Sequence, residues 1–174
     1  VSAKISDNKK FGVLVEVNCE TDFVAKSEAF VEFSKKVTDL AFEKKVKSSQ
    51  ELIDTTPEIG NMLNDLTAKI GEKLEISRIS SLETENGVID YYIHYGDRLG
   101  SLVRFDNIDG EKIPAVAQAV QDVAKQVAAM SPISISRDKV PAELIEKELE
   151  IYKEQFRKEG KPEDKIEFIA KNKL

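Results

Sequence analysis

The sequence predicts an α+β fold with antiparallel sheets and a separate helical hairpin. Three observations carry that prediction. Short alternating strands come in neighbouring pairs that lead into amphipathic helices. The stretch Gly12-Val13-Leu14-Val15-Glu16-Val17-Asn18 is matched in outline by Gly100-Ser101-Leu102-Val103-Arg104-Phe105-Asp106, and each is followed by a helix of about five turns. After Pro141 the chain becomes charge-rich with a sparse apolar heptad. The expected architecture is a duplicated strand-strand-helix subdomain with a protruding helical-hairpin (coiled-coil) arm. Its divisions are residues 1–85 for the N-terminal core, 86–140 for an incomplete C-terminal core and 141–174 for the arm.

The first strand is Phe11 to Asn18, with Val13, Val15 and Val17 on one face and Leu14 on the other. Residues 3–6 supply its hairpin partner through the Asp7-Asn8-Lys9-Lys10 turn. Ser27 is a candidate N-cap for a helix that places Phe30, Phe33, Val37, Leu40 and Ala41 on one stripe. Ser48-Ser49-Gln50-Glu51 has the pattern of a capping box, and Thr56-Pro57 opens a further helix with Pro at its first position. That helix lines up Ile59, Met62, Leu63, Leu66 and Ile70.

A three-strand run is expected next. Leu74–Leu82 leads through the turn Thr84-Glu85-Asn86-Gly87 into Val88–His94, and Tyr95-Gly96-Asp97-Arg98 leads into Leu99–Phe105. A long helix beginning near Pro114 buries Val116, Val120, Val123 and Val127. In the arm, Ile145, Leu149, Tyr152 and Phe156 keep heptad-like spacing. Gly160-Lys161-Pro162 breaks the helix, and Ile166 and Ile169 mark a returning one.

The 174 residues carry a net charge of −6, which argues against binding nucleic acid by phosphate neutralisation. No apolar run approaches the roughly 18 residues needed to cross a bilayer. One cysteine excludes an internal disulfide framework and suits a reducing cytosol. Acidic composition without a transit segment points to a cytoplasmic protein of bacterial type.

Catalytic constellations are not evident. With one histidine, no site built on several imidazoles is available, and Cys19 reads as a small buried hydrophobe at a strand end. Glu16, Glu20 and Asp22 are acidic neighbours without the spacing that would converge oxygens on a hard cation, so no metal or cofactor is expected. Gly96-Asp97-Arg98-Leu99-Gly100 lacks the glycine pattern and lysine of a phosphate loop and precedes a strand, which makes it a hairpin turn.

The unusual residue is Phe23, a large aromatic in the polar turn Thr21-Asp22-Phe23. It either folds back as a staple on Phe30 or Val31, or stands free to enter a slot on another protein. Asp22 is likewise either a simple turn former or part of a contact, and His94 is either a satisfied structural residue or a functional one. The residues alone leave these pairs open.

Glu16-Val17-Asn18-Cys19-Glu20-Thr21-Asp22-Phe23-Val24-Ala25-Lys26 is similar to the signature of the translation elongation factor Ts family. Three further segments extend the resemblance over nearly the whole chain: Lys69-Ile70-Gly71-Glu72, Tyr92-Ile93-His94-Tyr95-Gly96-Asp97-Arg98-Leu99-Gly100, and Pro141 to Pro162. Family members usually begin with a small ubiquitin-associated-like domain and continue beyond the arm, so the resemblance covers core and arm. It implies a guanine nucleotide exchange factor that promotes GDP release from elongation factor Tu without binding nucleotide or performing covalent chemistry. It implies that Asp22 and Phe23, within the contact segment Thr21, Asp22, Phe23, Val24 and Ala25, press on Tu near its magnesium and phosphate site. Ile70, Gly71 and His94 are implied as further contacts, and the 141–174 arm as a support for higher assembly, with self-association left open. The alternative is an interaction scaffold with the same fold and no effect on GDP release.

Overall fold

A computed structural model describes residues 1–174. It divides into two compact units, Val1–Met130 and Ser131–Leu174.

The first unit starts with a hairpin, β1 (Ser2–Ile5) and β2 (Phe11–Asn18), paired antiparallel from Ser2↔Val15 to Ile5↔Gly12. Its turn closes as expected: Lys9 takes a positive φ of 55°, and its N–H donates to the Ser6 carbonyl at 2.8 Å. Short helix α1 (Asp22–Ala25) precedes α2 (Glu28–Lys44), whose N-cap is Ser27, with its hydroxyl accepting from the Phe30 N–H. Next come α3 (Ser49–Thr55), capped by Ser48, and α4 (Pro57–Ile70), opened by Pro57. The Glu51 carboxylate reaches the Lys47 N–H at 2.7 Å, one residue before the position a reciprocal capping box uses.

The expected three-strand run is divided between two sheets. β3 (Glu75–Glu83) pairs with β2, giving the order β1-β2-β3, while β4 (Gly87–Ile93) and β5 (Gly100–Asp106) form a sheet of their own. Thr84-Glu85-Asn86-Gly87 is therefore a crossover between sheets and not a hairpin turn. The physical reason lies in the backbone: neither Asn86 nor Gly87 takes the positive φ that a tight two-residue hairpin requires. The crossover is tied to the first hairpin instead, with Thr84 N–H donating to the Lys10 carbonyl at 2.9 Å and Ile89 N–H to the Lys9 carbonyl at 2.8 Å.

The β2–β3 register slips between Glu16 and Val17, leaving Ser77 unmatched between Arg78 and Ile76. Ile76 and Ile79 are three residues apart, so strict alternation would send them to opposite faces. The bulge lets both enter one core. That core also holds Val15, Val17, Phe30, Phe33, Val37, Ala41, Leu52, Ile59 and Leu74.

The opposite face of β2 meets the second sheet. A Cβ placed on Gly12 would lie 2.9 Å from Ile5 Cγ2 and 3.0 Å from Ile89 Cγ2, so the absence of a side chain there permits the close approach. On the far side of β4 and β5 lies α5 (Ile113–Met130), with Val88, Val103, Val120 and Ala124 buried between them. Val116 and Val127 pack against this core, whereas Val123, expected inside, is 40% exposed.

The second unit pairs α6 (Ala142–Lys158) with α7 (Glu163–Lys173). Gly160 takes φ 74°, its N–H donates to the Arg157 carbonyl, and Lys161 N–H donates to the Phe156 carbonyl, both at 3.0 Å. These two bonds form a Schellman ending. Phe156, Ile166 and Ala170 are buried together, flanked by Leu149, Tyr152 and Ile169. Ile145 lies outside that cluster, in a groove with Ile133, Val140 and Leu144.

So small a core makes one residue decisive. Phe156→Ala is expected to cost about 3–5 kcal/mol, more than a short helical pair can lose. Far-UV circular dichroism should show a partial loss of helix while the first unit still melts cooperatively.

Candidate partner interface

Thr21 begins the site. Its Oγ1 accepts from the Val24 N–H at 3.4 Å and so caps α1. The same hydroxyl donates to Glu72 Oε1 at 2.6 Å, and the Thr21 N–H donates to Glu72 Oε2 at 3.0 Å. Glu72 follows Gly71, which ends α4 in the left-handed conformation at φ 78°, a geometry that glycine adopts without steric cost. Thr21–Ala25 and Ile70–Glu72 are thereby joined.

Asp22 pairs with Arg98, which lies in the β4–β5 turn. That turn is closed by Asp97 N–H donating to the His94 carbonyl at 3.0 Å and His94 N–H donating to the Leu99 carbonyl at 2.8 Å. Gly96 (φ 89°) and Asp97 (φ 55°) both take positive φ, as the expected hairpin turn requires. The His94 ring is exposed, and its Nδ1 lies 2.9 Å from the Tyr92 hydroxyl. Three segments distant in sequence therefore meet around α1.

Within α1 the side chains divide. Val24 packs against the first core, while Phe23, one residue earlier and about 100° around the helix, is 90% exposed. The staple onto Phe30 or Val31 is not formed. Ala25 is half-buried, Ile70 packs at the edge of the core, and Gly71 is exposed.

Glu72, Arg98 and Tyr95 lie outside the expected site residues. The first two tether the turn. Tyr95, next to His94 in the turn that carries Arg98, is a second bare aromatic, 98% exposed. An aromatic side chain in a polar turn was the available signal, the same one that singled out Phe23.

Cys19 is half-buried at the rim of the core, with its Sγ 3.4 Å from the Thr21 carbonyl oxygen. Burial, and then the charge of Glu72, push its thiol above the ordinary range against the opposing effects of the Thr21 backbone and Arg98. The protonated thiol is a weak nucleophile at neutral pH.

Below the site, Glu16 is paired with Arg78 across β2 and β3. Burial raises the Glu16 pKa, but hydrogen bonds from Arg78 and Asn18 and the Arg78 charge outweigh it, leaving the carboxyl below its ordinary value. A depressed folded-state pKa adds stability above the unfolded value, about pH 4.3, and that contribution is lost as pH falls through the folded value. Arg78→Met should therefore lower the melting temperature near neutral pH, and the gap from the unaltered chain should close below about pH 4.

The class of protein that these features define is an α+β chain bearing a clamped turn with an exposed aromatic side chain. The chain belongs to the elongation factor Ts family. The family model described as Elongation factor TS matches residues 20–174. Elongation factor Ts of Chlorobaculum parvum is 41% identical over 177 residues, covering 98% of this chain and 60% of that protein. The Chlorobaculum tepidum protein of the same name is 42% identical over 178 residues, with 98% and 60% covered. The Clostridium botulinum protein is 39% identical over 181 residues, with 100% and 58% covered. The chain thus spans less than two thirds of the length of these relatives. No helix is long and apolar enough to cross a membrane.

Proposed function

We propose that this chain is a guanine nucleotide exchange factor for elongation factor Tu that opens Tu's GDP site with the Thr21-Asp22-Phe23 turn. The observation that carries the reading is the exposure of Phe23 on a helical turn tied at both Thr21 and Asp22. Phe23 enters an apolar pocket on Tu, and Asp22 reaches toward the magnesium and phosphate site. Thr21, Val24, Ala25, Ile70, Gly71 and His94 complete the contact. Magnesium's hold weakens, GDP leaves and GTP enters. The factor performs no covalent chemistry and takes no cofactor.

Such a factor works by binding nucleotide-free Tu more tightly than GDP-bound Tu, and GDP must then weaken its binding reciprocally. Its affinity for immobilised Tu should accordingly fall at least about tenfold when GDP is added, a coupling of about 1.4 kcal/mol. Equal affinity with and without GDP would contradict the reading.

The division into 1–85, 86–140 and 141–174 is part of the same proposal. The order strand, strand, helix occurs as β1–β2–α2 and again as β4–β5–α5 once the short α1 and the 3-10 turn Gly110–Lys112 are set aside, which supports a duplicated core. We assign the 141–174 hairpin a role as a coiled-coil arm in assembly, with Tu or with a second copy. Such a factor works where translation proceeds, in the cytoplasm, without direct contact to nucleic acid.

A further inference from the structure

We infer that Glu72 is a positioning residue for the exchange turn, acting through Thr21 to hold Phe23 in its presented direction; the inference rests on the function proposed above. Helix α1 has four residues, too few to persist without support, because nucleating a helix costs more than one turn returns. Some of the support is local. Val24 sits on the core, and the Ser27 N–H and hydroxyl both donate to the Val24 carbonyl, at 2.9 and 2.8 Å. These contacts fix the end of α1.

The beginning of α1 has two tethers: Arg98 holds the Asp22 side chain, and Glu72 holds Thr21, the residue that caps the helix. Both Glu72 carboxylate oxygens are committed to Thr21, one to its backbone N–H and one to its hydroxyl. Because that hydroxyl donates to Glu72, its lone pair remains oriented toward the Val24 N–H, so one carboxylate fixes both the backbone and the cap. Glu72 forms no ion pair that would compete: nearby Lys73 pairs with Glu75, and Arg98 pairs with Asp22. The Gly71 conformation delivers Glu72 to this position by ending α4 one residue earlier. Gly71 thereby acquires a second role: it sets the clamp's origin.

A clamp of this kind changes the fraction of molecules that present Phe23 correctly. Apparent affinity falls in proportion to that fraction, while the rate from the fully bound complex does not. Glu72→Ala should raise the chain concentration that half-saturates fluorescent-GDP release from Tu by about fivefold and leave the plateau rate within about twofold. Glu72→Gln, which keeps one acceptor oxygen, should fall between the two. If Glu72 acts through Phe23, its effect should shrink to less than about twofold in a Phe23→Ala background. Hydrogen exchange at the Val24 and Ala25 amides, which donate to the Thr21 hydroxyl and carbonyl, gives a readout independent of Tu, and Glu72→Ala should speed it about tenfold.

Unchanged amide exchange, an unchanged half-saturating concentration, or the same fold-loss in both backgrounds would overturn the positioning role. Faster amide exchange together with a Phe23→Ala variant that releases GDP normally would instead overturn the exchange reading. It would remove the positioning role's purpose while leaving the clamp itself in place.

Discussion

Phe23→Ala is expected to slow stimulated GDP release by about ten- to a hundredfold, since burying one Phe in a partner contributes about 1.5–3 kcal/mol and about 1.4 kcal/mol is a factor of ten. The same substitution should leave the melting temperature almost unchanged. The ring is 90% exposed, so the folded chain loses almost no packing when it is removed. A staple on the helix would behave in the opposite way, with a cost of about 3–5 kcal/mol in stability and normal exchange by the surviving folded fraction. Thermal melting and fluorescent-GDP release, measured on the same preparation, distinguish the two. Glu72→Ala provides an internal comparison: it should move the half-saturating concentration, whereas Phe23→Ala removes the contact itself.

Gly87→Ala should be the most damaging single methyl in the first unit. A Cβ there would lie 2.0 Å from the Phe105 carbonyl oxygen and 2.8 Å from Thr84 Oγ1. The obstructing oxygen is backbone on the paired strand β5, so relief requires the two-stranded sheet to part at that end. Overpacking of this kind costs about 3 kcal/mol, which in a domain of this size lowers melting by roughly 6–12 °C. Gly110→Ala is the control. Nothing lies within 4 Å of its added methyl, and the change should stay within about 0.5 kcal/mol. Equal melting temperatures for the two variants would show that the β4–β5 end yields more easily than its geometry implies.

The parts of this molecule that the sequence made legible are those whose signals are local. Ser27, Ser48 and Pro57 open helices because caps and first-turn prolines act within a few residues. Val13, Val15 and Val17 share the buried face of β2 because a strand's period is two. The choice of partner for β3 was not legible, since Asn-Gly promises a hairpin turn wherever the strands pair, and here they do not. Nor was the bulge at Ser77, whose only trace is Ile76 and Ile79 falling out of alternation.

The candidate site divides along the same line. An aromatic in a polar turn drew attention to Phe23, but whether it folded back or stood free depended on which neighbour met the core. Val24 meets it, and that leaves Phe23 outside. The tethers join residues 51 and 76 positions apart, Thr21 to Glu72 and Asp22 to Arg98. No periodicity reaches that far. Both tethering residues lie in segments that resemble family motifs, so the resemblance marked the segments without revealing their arrangement.

On the function proposed here, this chain drives GDP out of elongation factor Tu. Stopped-flow release of a fluorescent GDP from preloaded Tu, chased with excess unlabelled nucleotide, tests it most directly. The release rate should rise with the concentration of the chain and saturate, with Phe23→Ala lying about ten- to a hundredfold lower in the unsaturated range. A chain that binds Tu yet leaves the release rate at its spontaneous value would be an interaction scaffold and not an exchange factor.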